Sequence, residues 1–212
     1  MELTVLDQTV KIQLDTTKRT GILVSGGMDS AIMLFLILKE IADNKLNVDL
    51  TVYNVPNVAD NAVVYSRRVV DFLEKHFNTA IKLVNIGDGT ATPLKLIREP
   101  ATHLLESGQV DVLYSGQNQF PAEAQAWPAY QAADGGFVRR NPNEPDSAVA
   151  KFPFIKLYKH HILDIYRQFN LLELAAITHS CTTQTVGRCE QCLWCVERAW
   201  AFSKLGLTDE SL

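Results

Sequence analysis

Two short stretches of this chain concentrate residues able to do chemistry. The first is Ser25-Gly26-Gly27-Met28-Asp29-Ser30, which follows the apolar run Thr20–Val24 and precedes a strongly apolar segment. Adjacent glycines permit positive φ and remove the Cβ atoms that keep an anion away from the backbone. Successive N–H groups then form a concave donor nest, and a following helix adds its positive end. Ser25 and Ser30 supply hydroxyls. Asp29 repels a phosphate but suits Mg2+, which bridges carboxylate and phosphate oxygens. The G-x-x-x-x-G-K-[ST] pattern of a Walker A loop is absent. The second stretch holds Cys181, Cys189, Cys192 and Cys195, all the cysteines of the chain. Their C-x7-C-x2-C-x2-C spacing is that of metal ligands, because two intervening residues let both thiolates turn onto one ion. A disulfide framework would instead spread its cysteines to staple distant loops. Four thiolates close a tetrahedral Zn2+ shell and imply a structural role. An iron–sulfur cluster is the competing occupant, since C-x2-C-x2-C also opens ferredoxin-type sites, although the downstream Cys-Pro is missing.

Both stretches need elements to position them. Leu3–Val5 and Val10–Leu14 read as a hairpin around Asp7-Gln8, and Thr20–Val24 as a strand ending at the glycines. A helix is expected over Asp29–Asp43, apolar nearly all round and hence buried. Val48–Val55 is a strand. Asp60–Phe77 is a helix with Val63, Val64, Val69, Val70 and Leu73 inward. Ala80–Ile86 is a strand ending at Gly87-Asp88-Gly89, and Leu94–Ser107 a helix that Pro100 should kink or break. Val110–Tyr114 is a strand running into Ser115-Gly116-Gln117-Asn118. Between Gln119 and Pro153 the pattern dissolves around Pro121, Pro128, Pro142, Pro145, Asp134-Gly135-Gly136 and Asn141-Pro142-Asn143, as in a long functional loop. Helical periodicity returns at Tyr158–Phe169, Leu171–Ala176 leads to the cysteines, and Glu190–Leu205 is a helix. Strands alternating with helices at this rhythm predict a doubly wound, mainly parallel α/β sheet over residues 1–170, with a small zinc-binding helical segment over 171–212. In such a sheet ligands lie beyond the carboxyl ends of the strands, where strand order reverses. That places a phosphate-bearing ligand over Ser25–Ser30 with Tyr53 and Asn54 beside it, and a second ligand at Ser115, Gly116 and Asn118. Tyr114, Phe120, Trp127 and Tyr130 are candidates for stacking on a purine-like ring, for the core, or for a homodimer contact.

Composition narrows the class. Apolar residues make up 47% and charged ones 21%, with 20 basic and 24 acidic residues and a net charge of −4. No basic excess marks a nucleic-acid partner. The longest apolar run, Ala31–Leu38, is too short to cross a bilayer. Glu2, Asp7 and Asp15 leave no secretory h-region, so a cytoplasmic protein is expected.

The hexapeptide resembles the S-G-G-x-D-S signature of the PP-loop ATP pyrophosphatases, a superfamily that includes GMP, NAD and asparagine synthetases and tRNA thiolation enzymes. Its members have the fold of the adenine nucleotide α-hydrolases, called HUP. They activate an oxygen by attaching AMP and releasing pyrophosphate. The combination with Ser180-Cys181, Cys189-Glu190-Gln191-Cys192-Leu193-Trp194-Cys195-Val196-Glu197-Arg198 and Ala201–Leu207 resembles the 7-cyano-7-deazaguanine synthase family. A further block, Pro153-Phe154-Ile155-Lys156-Leu157-Tyr158-Lys159-His160-His161-Ile162, is similar to that family's P-L-x-x-L-x-K-x-E-I, with His161 in place of its Glu. The middle departs: Tyr53-Asn54-Val55-Pro56 stands where the family carries Tyr-Gly-Gln. Leu94–Ser107 replaces its basic-polar substrate segment, and Tyr114–Asn118 matches its G-x-[HN] turn loosely.

The resemblance implies an ATP-dependent ligase that adenylates 7-carboxy-7-deazaguanine and uses ammonia to form the nitrile. Asp29 and Lys159 are then the catalytic pair, and Ser25, Gly26, Gly27, Met28, Asp29 and Ser30 hold pyrophosphate and Mg2+. Three other readings compete. One is a divergent ligase that adenylates another carboxylate, on a protein or a DNA-linked base. The others are a tRNA sulfurtransferase and a non-enzymatic zinc-stabilised nucleotide binder.

Overall fold

The computed structural model describes residues 1–56, 61–87, 93–132, 141–143 and 146–210, with backbone alone over 93–98. Asp60, Asp88-Gly89 and Asp134-Gly135-Gly136 of the expectations above lie outside them. The chain opens with an antiparallel hairpin, β1 (Glu2–Val5) and β2 (Gln8–Lys11), turning at Leu6, whose φ is 53°. From Thr20 the α/β alternation begins: β3 (Thr20–Leu23), α1 (Met28–Asn44), β4 (Leu50–Asn54), α2 (Ala62–Phe77), β5 (Leu83–Asn85), α3 (Pro93–Glu106) and β6 (Val112–Tyr114). A 3₁₀ turn (Ala122–Ala126), α4 (Pro128–Ala132) and β7 (Ala150–Lys151) follow, then α5 (Lys159–Gln168), α6 (Leu172–Ala176) and α7 (Leu193–Lys204).

The five strands β3 to β7 form one parallel sheet in the order β5-β4-β3-β6-β7. Side chains alternate across it, as the period of a strand requires. Ile22, Val52 and Val112 join the main core with α1, whereas Leu23, Tyr53 and Leu113 join a second cluster with Leu104 of α3. Both faces are thus covered, which is the α/β architecture expected from the alternation. β3 lies between β4 and β6, so strand order reverses beside it, the position at which open α/β sheets bind their ligands. α1 is buried continuously from Ser30 to Leu38. Leu171, Leu174, Ala175, Ala201 and Phe202 belong to the same core, so the segment from 171 onward shares the interior of the sheet layer.

Four expectations are corrected. Helix α3 continues through Pro100, so the proline does not break it. Val63 and Val64 are each 40% exposed, because α2 turns Ala62, Tyr65, Ser66, Val69, Val70 and Leu73 inward at helical spacing instead. The region after Gln119 is not one loop: it holds α4 and the edge strand β7, whose two residues are too few to show alternation in the sequence. α7 starts at Leu193, since Glu190 takes a φ of 60° and Cys192 occupies the N-cap.

Candidate active site and metal centre

The turn Ser25–Gly27 joins β3 to α1 at the point where strand order reverses. Gly26 has φ +86°, and a Cβ there would lie 2.5 Å from Tyr65 Cβ and 2.7 Å from the Ser66 nitrogen, so only glycine fits. The Ser30 hydroxyl donates to the Gly27 carbonyl (3.1 Å) and accepts from the Ser25 N–H (3.2 Å), and Gly27 N–H donates to Ser25 Oγ (3.3 Å). Gly27 is the N-cap of α1 without a side-chain cap, so the first-turn N–H groups have no acceptor within the helix and point out of its start.

Straps from distant elements hold this loop. His179 N–H donates to the Gly26 carbonyl (2.9 Å), and the His179 ring stacks on Tyr65 at 4.3 Å between centroids. The Asn54 amide donates to the Val24 carbonyl (2.8 Å) from the end of β4. The Tyr166 hydroxyl, whose pKa burial pushes well above the ordinary range, donates to the Met28 carbonyl (2.6 Å). Gly116, after β6, presses on the start of α1: a Cβ there would lie 2.9 Å from the Asp29 carbonyl carbon and oxygen.

The catalytic pair read from the sequence meets at this loop. Lys159, the first residue of α5, is 3% exposed, and its Nζ lies 2.5 Å from Asp29 Oδ2. A solvated helix lysine is therefore excluded. The same ammonium lies 3.3 Å from Oε2 of Glu197, a fully buried residue of α7. Asp29 Oδ1 is buried yet takes no hydrogen bond among the described residues, which fits an oxygen that could hold a cation such as Mg2+. His161, standing where the resembled family has Glu, caps α5: its Nδ1 accepts the Tyr158 N–H (3.0 Å) and its Nε2 meets Asp7 Oδ1 (2.9 Å).

Among the other expected positions, Met28 is 1% exposed and offers its backbone to the loop. Tyr53, expected near the adenine, turns its ring into the second core cluster at 5% exposure. Asn54 anchors the loop by its amide, and its buried Oδ1 takes no hydrogen bond. Ser115, Gly116 and the fully buried Asn118 line the end of β6. The aromatic candidates all pack. Tyr114 donates its hydroxyl to the Gln13 carbonyl (2.5 Å), Phe120 meets Tyr130 and Trp194, and Trp127 meets Trp200. His179, Tyr65 and Glu197 escaped the sequence reading. The first and last adjoin the cysteine motif, and nothing local marks their contact with the loop.

The four cysteines converge, with all their sulfurs within 4.8 Å of one another. A tetrahedral zinc shell needs neighbouring sulfurs ~3.8 Å apart, from Zn–S bonds of about 2.3 Å. Cys192 N–H donates to Cys189 Sγ (3.2 Å), and Cys189 and Cys195 sulfurs are 4.0 Å apart. The hydrogen bond from the Cys195 thiol holds Cys192 down to about 4, and the same contact pushes Cys195 up. The buried Arg198 braces the centre: it pairs with Asp209 (2.7 Å) and donates to the Thr178 hydroxyl (2.8 Å) and the Ala175 carbonyl (2.8 Å).

No protein-family model matches the chain, and no curated protein matches it in sequence. Among solved structures, its fold is similar to that of the U34-tRNA thiolase NcsA from Methanococcus maripaludis with its [4Fe-4S] cluster, at a TM-score of 0.50 and 18% identity. The match covers 74% of this chain and 59% of that one, so the chain spans under two thirds of that protein's length. At this identity the likeness establishes the fold. Among the described residues, no helix is long and apolar enough to cross a membrane.

Proposed function

We propose that the chain is an ATP-using enzyme of the PP-loop type, which joins AMP to a carboxylate and releases pyrophosphate, with 7-carboxy-7-deazaguanine as the acid and ammonia as the nucleophile. The observation that carries the reading is the meeting of Asp29 and Lys159 at the loop: an ammonium 2.5 Å from a carboxylate with one open oxygen, beside free helix N–H groups. That arrangement suits a metal-bound polyphosphate.

In this reading Ser25, Gly26, Gly27, Met28 and Ser30 bind the pyrophosphate end of ATP through N–H and hydroxyl donors. Asp29 holds Mg2+, which when bound neutralises charge on the leaving pyrophosphate. Lys159 adds a fixed positive charge, so catalysis is positioning plus electrostatic stabilisation. Asn54 borders the adenine, and Ser115, Gly116 and Asn118 face the acceptor. The acid's carboxylate oxygen attacks the α-phosphorus as the bond to pyrophosphate breaks. Ammonia adds at the acyl carbon and AMP leaves, giving the amide. The amide oxygen then attacks the α-phosphorus of a second ATP as its pyrophosphate leaves, and loss of AMP with the two amide protons gives the nitrile. The cysteines hold Zn2+ in a closed structural shell. The mutual approach of the sulfurs favours one shared ion, because each thiolate of a four-iron cluster takes a different iron.

The fold likeness favours a second reading, a tRNA thiolase whose cysteines hold an iron–sulfur cluster. One set of assays separates them. The first reading expects a colourless protein with zinc, and AMP plus pyrophosphate formed from ATP when the deazaguanine acid and ammonium are present. A brown, iron-containing protein that releases pyrophosphate only with tRNA selects the second, and ADP plus phosphate as products overturns both. Asp29→Asn should leave the protein folded, since Glu197 still faces the Lys159 ammonium, and should strongly lower Mg2+-dependent pyrophosphate release, since a metal-holding carboxylate is lost. An unchanged rate removes Asp29 from the site.

A further inference from the structure

Glu197 has no part in the reaction outlined above, yet it is fully buried and carries a carboxylate. It sits on α7, two residues beyond Cys195, and its Oε2 reaches Lys159 Nζ at 3.3 Å. Lys159 therefore lies between two carboxylates of different character. Asp29 belongs to the phosphate loop, is 23% exposed, and has an open oxygen. Glu197 belongs to the interior.

A buried ammonium needs a partner at every stage, since leaving it alone in a medium of low polarity is strongly unfavourable. When a polyphosphate and its cation enter the loop, Asp29 turns from lysine partner to metal ligand. An ammonium bound to Asp29 alone would then be free to follow it or to swing. We propose that Glu197 is a positioning residue: it fixes the Lys159 ammonium at the mouth of the phosphate loop, so that the charge stays in place for the phosphates when Asp29 is engaged by metal. This inference rests on the ATP reading given above. It also explains why an acidic residue stands inside α7 beside Arg198, which has its own acidic partner in Asp209 and does not need Glu197 for charge balance.

The test is a double-mutant cycle on the full, metal-loaded protein, using Glu197→Leu, Lys159→Met and the pair together. Glu197→Gln serves as the isosteric variant should the leucine disturb folding. Two quantities are read: binding of a nonhydrolysable ATP analogue with Mg2+, and thermal melting without nucleotide. If Glu197 acts through Lys159, Glu197→Leu weakens analogue binding roughly 30-fold or more, the scale of losing one partner of a buried charge pair. Glu197→Gln, which keeps a hydrogen-bond acceptor, loses less. In the Lys159→Met background the same leucine substitution has little further effect on binding, and it lowers the melting temperature less than in the wild type, because the pairing with Lys159 is already gone. A purely structural glutamate would lower melting by the same amount in both backgrounds, with analogue affinity untouched, and that result overturns the proposal. Wild-type protein that fails to bind the analogue overturns the ATP reading and this inference with it. Wild-type binding that Glu197→Gln and Glu197→Leu leave unchanged overturns the inference alone.

Discussion

The Ser25–Ser30 loop and the cysteine cluster are built on opposite plans. The centre is local: its ligands lie within Cys181–Cys195, one of them caps the helix that carries another, and a Cys192 N–H···S bond closes the knuckle. The loop is a short turn running into the first turn of α1, and its shape depends on α2, β4, α5, the turn after β6 and the residue two places before Cys181. A local cluster whose four sulfurs converge on one point fails as a unit. A turn held by separate straps fails by degrees, and its chemistry can be removed without its shape.

The largest effect should therefore come from the centre. Cys192→Ala opens the shell and removes the N-cap of α7, so bound metal and folded protein should be lost together, because metal binding of this kind is itself folding energy. Metal analysis and melting curves test this, and a variant that keeps its stability without metal would break the contrast. Next is Gly26→Ala. A methyl group at φ +86° against Tyr65 Cβ costs more than about 2 kcal/mol, which corresponds to a fall in melting temperature of about 4–8 °C. The same variant should retain its metal, which distinguishes graded failure of the loop from collapse of the centre.

The smallest effect lies at the far ends of the strands that deliver the loop. Arg19, before β3, pairs with Asp111, before β6, through Nη2 (2.7 Å) and Nε (3.0 Å). That pair and the Arg19 N–H hold the Asp111 carboxyl down to about 2. A carboxyl depressed in the folded state contributes stability above its unfolded pKa and loses it as pH falls through the folded value. The pair is solvent-exposed, so Asp111→Asn should lower the melting temperature only slightly at neutral pH. That difference should fade between about pH 4 and pH 2. A difference that persists at pH 2 would mean that the aspartate acts through packing.

Much of this was legible from residue order because it depends on neighbours along the chain. The alternation of apolar strands and helices determined a parallel sheet, the all-round apolar character of Ala31–Leu38 determined a buried α1, and the cysteine spacing determined a single centre. What lay beyond it depends on rotation and reach. The sequence marks Val63 and Tyr65 alike as apolar residues of one helix, but only packing against β4 and Gly26 decided which of them faces inward. The motif marks Lys159, but its two carboxylate partners lie 130 residues before it and on a different helix after it, so their meeting exists only once α1, α5 and α7 have packed. Glu197 is the sharpest case. In the sequence it is one more charged residue of a C-terminal helix, and burial against Lys159 makes it part of the site because a buried ammonium must be paired.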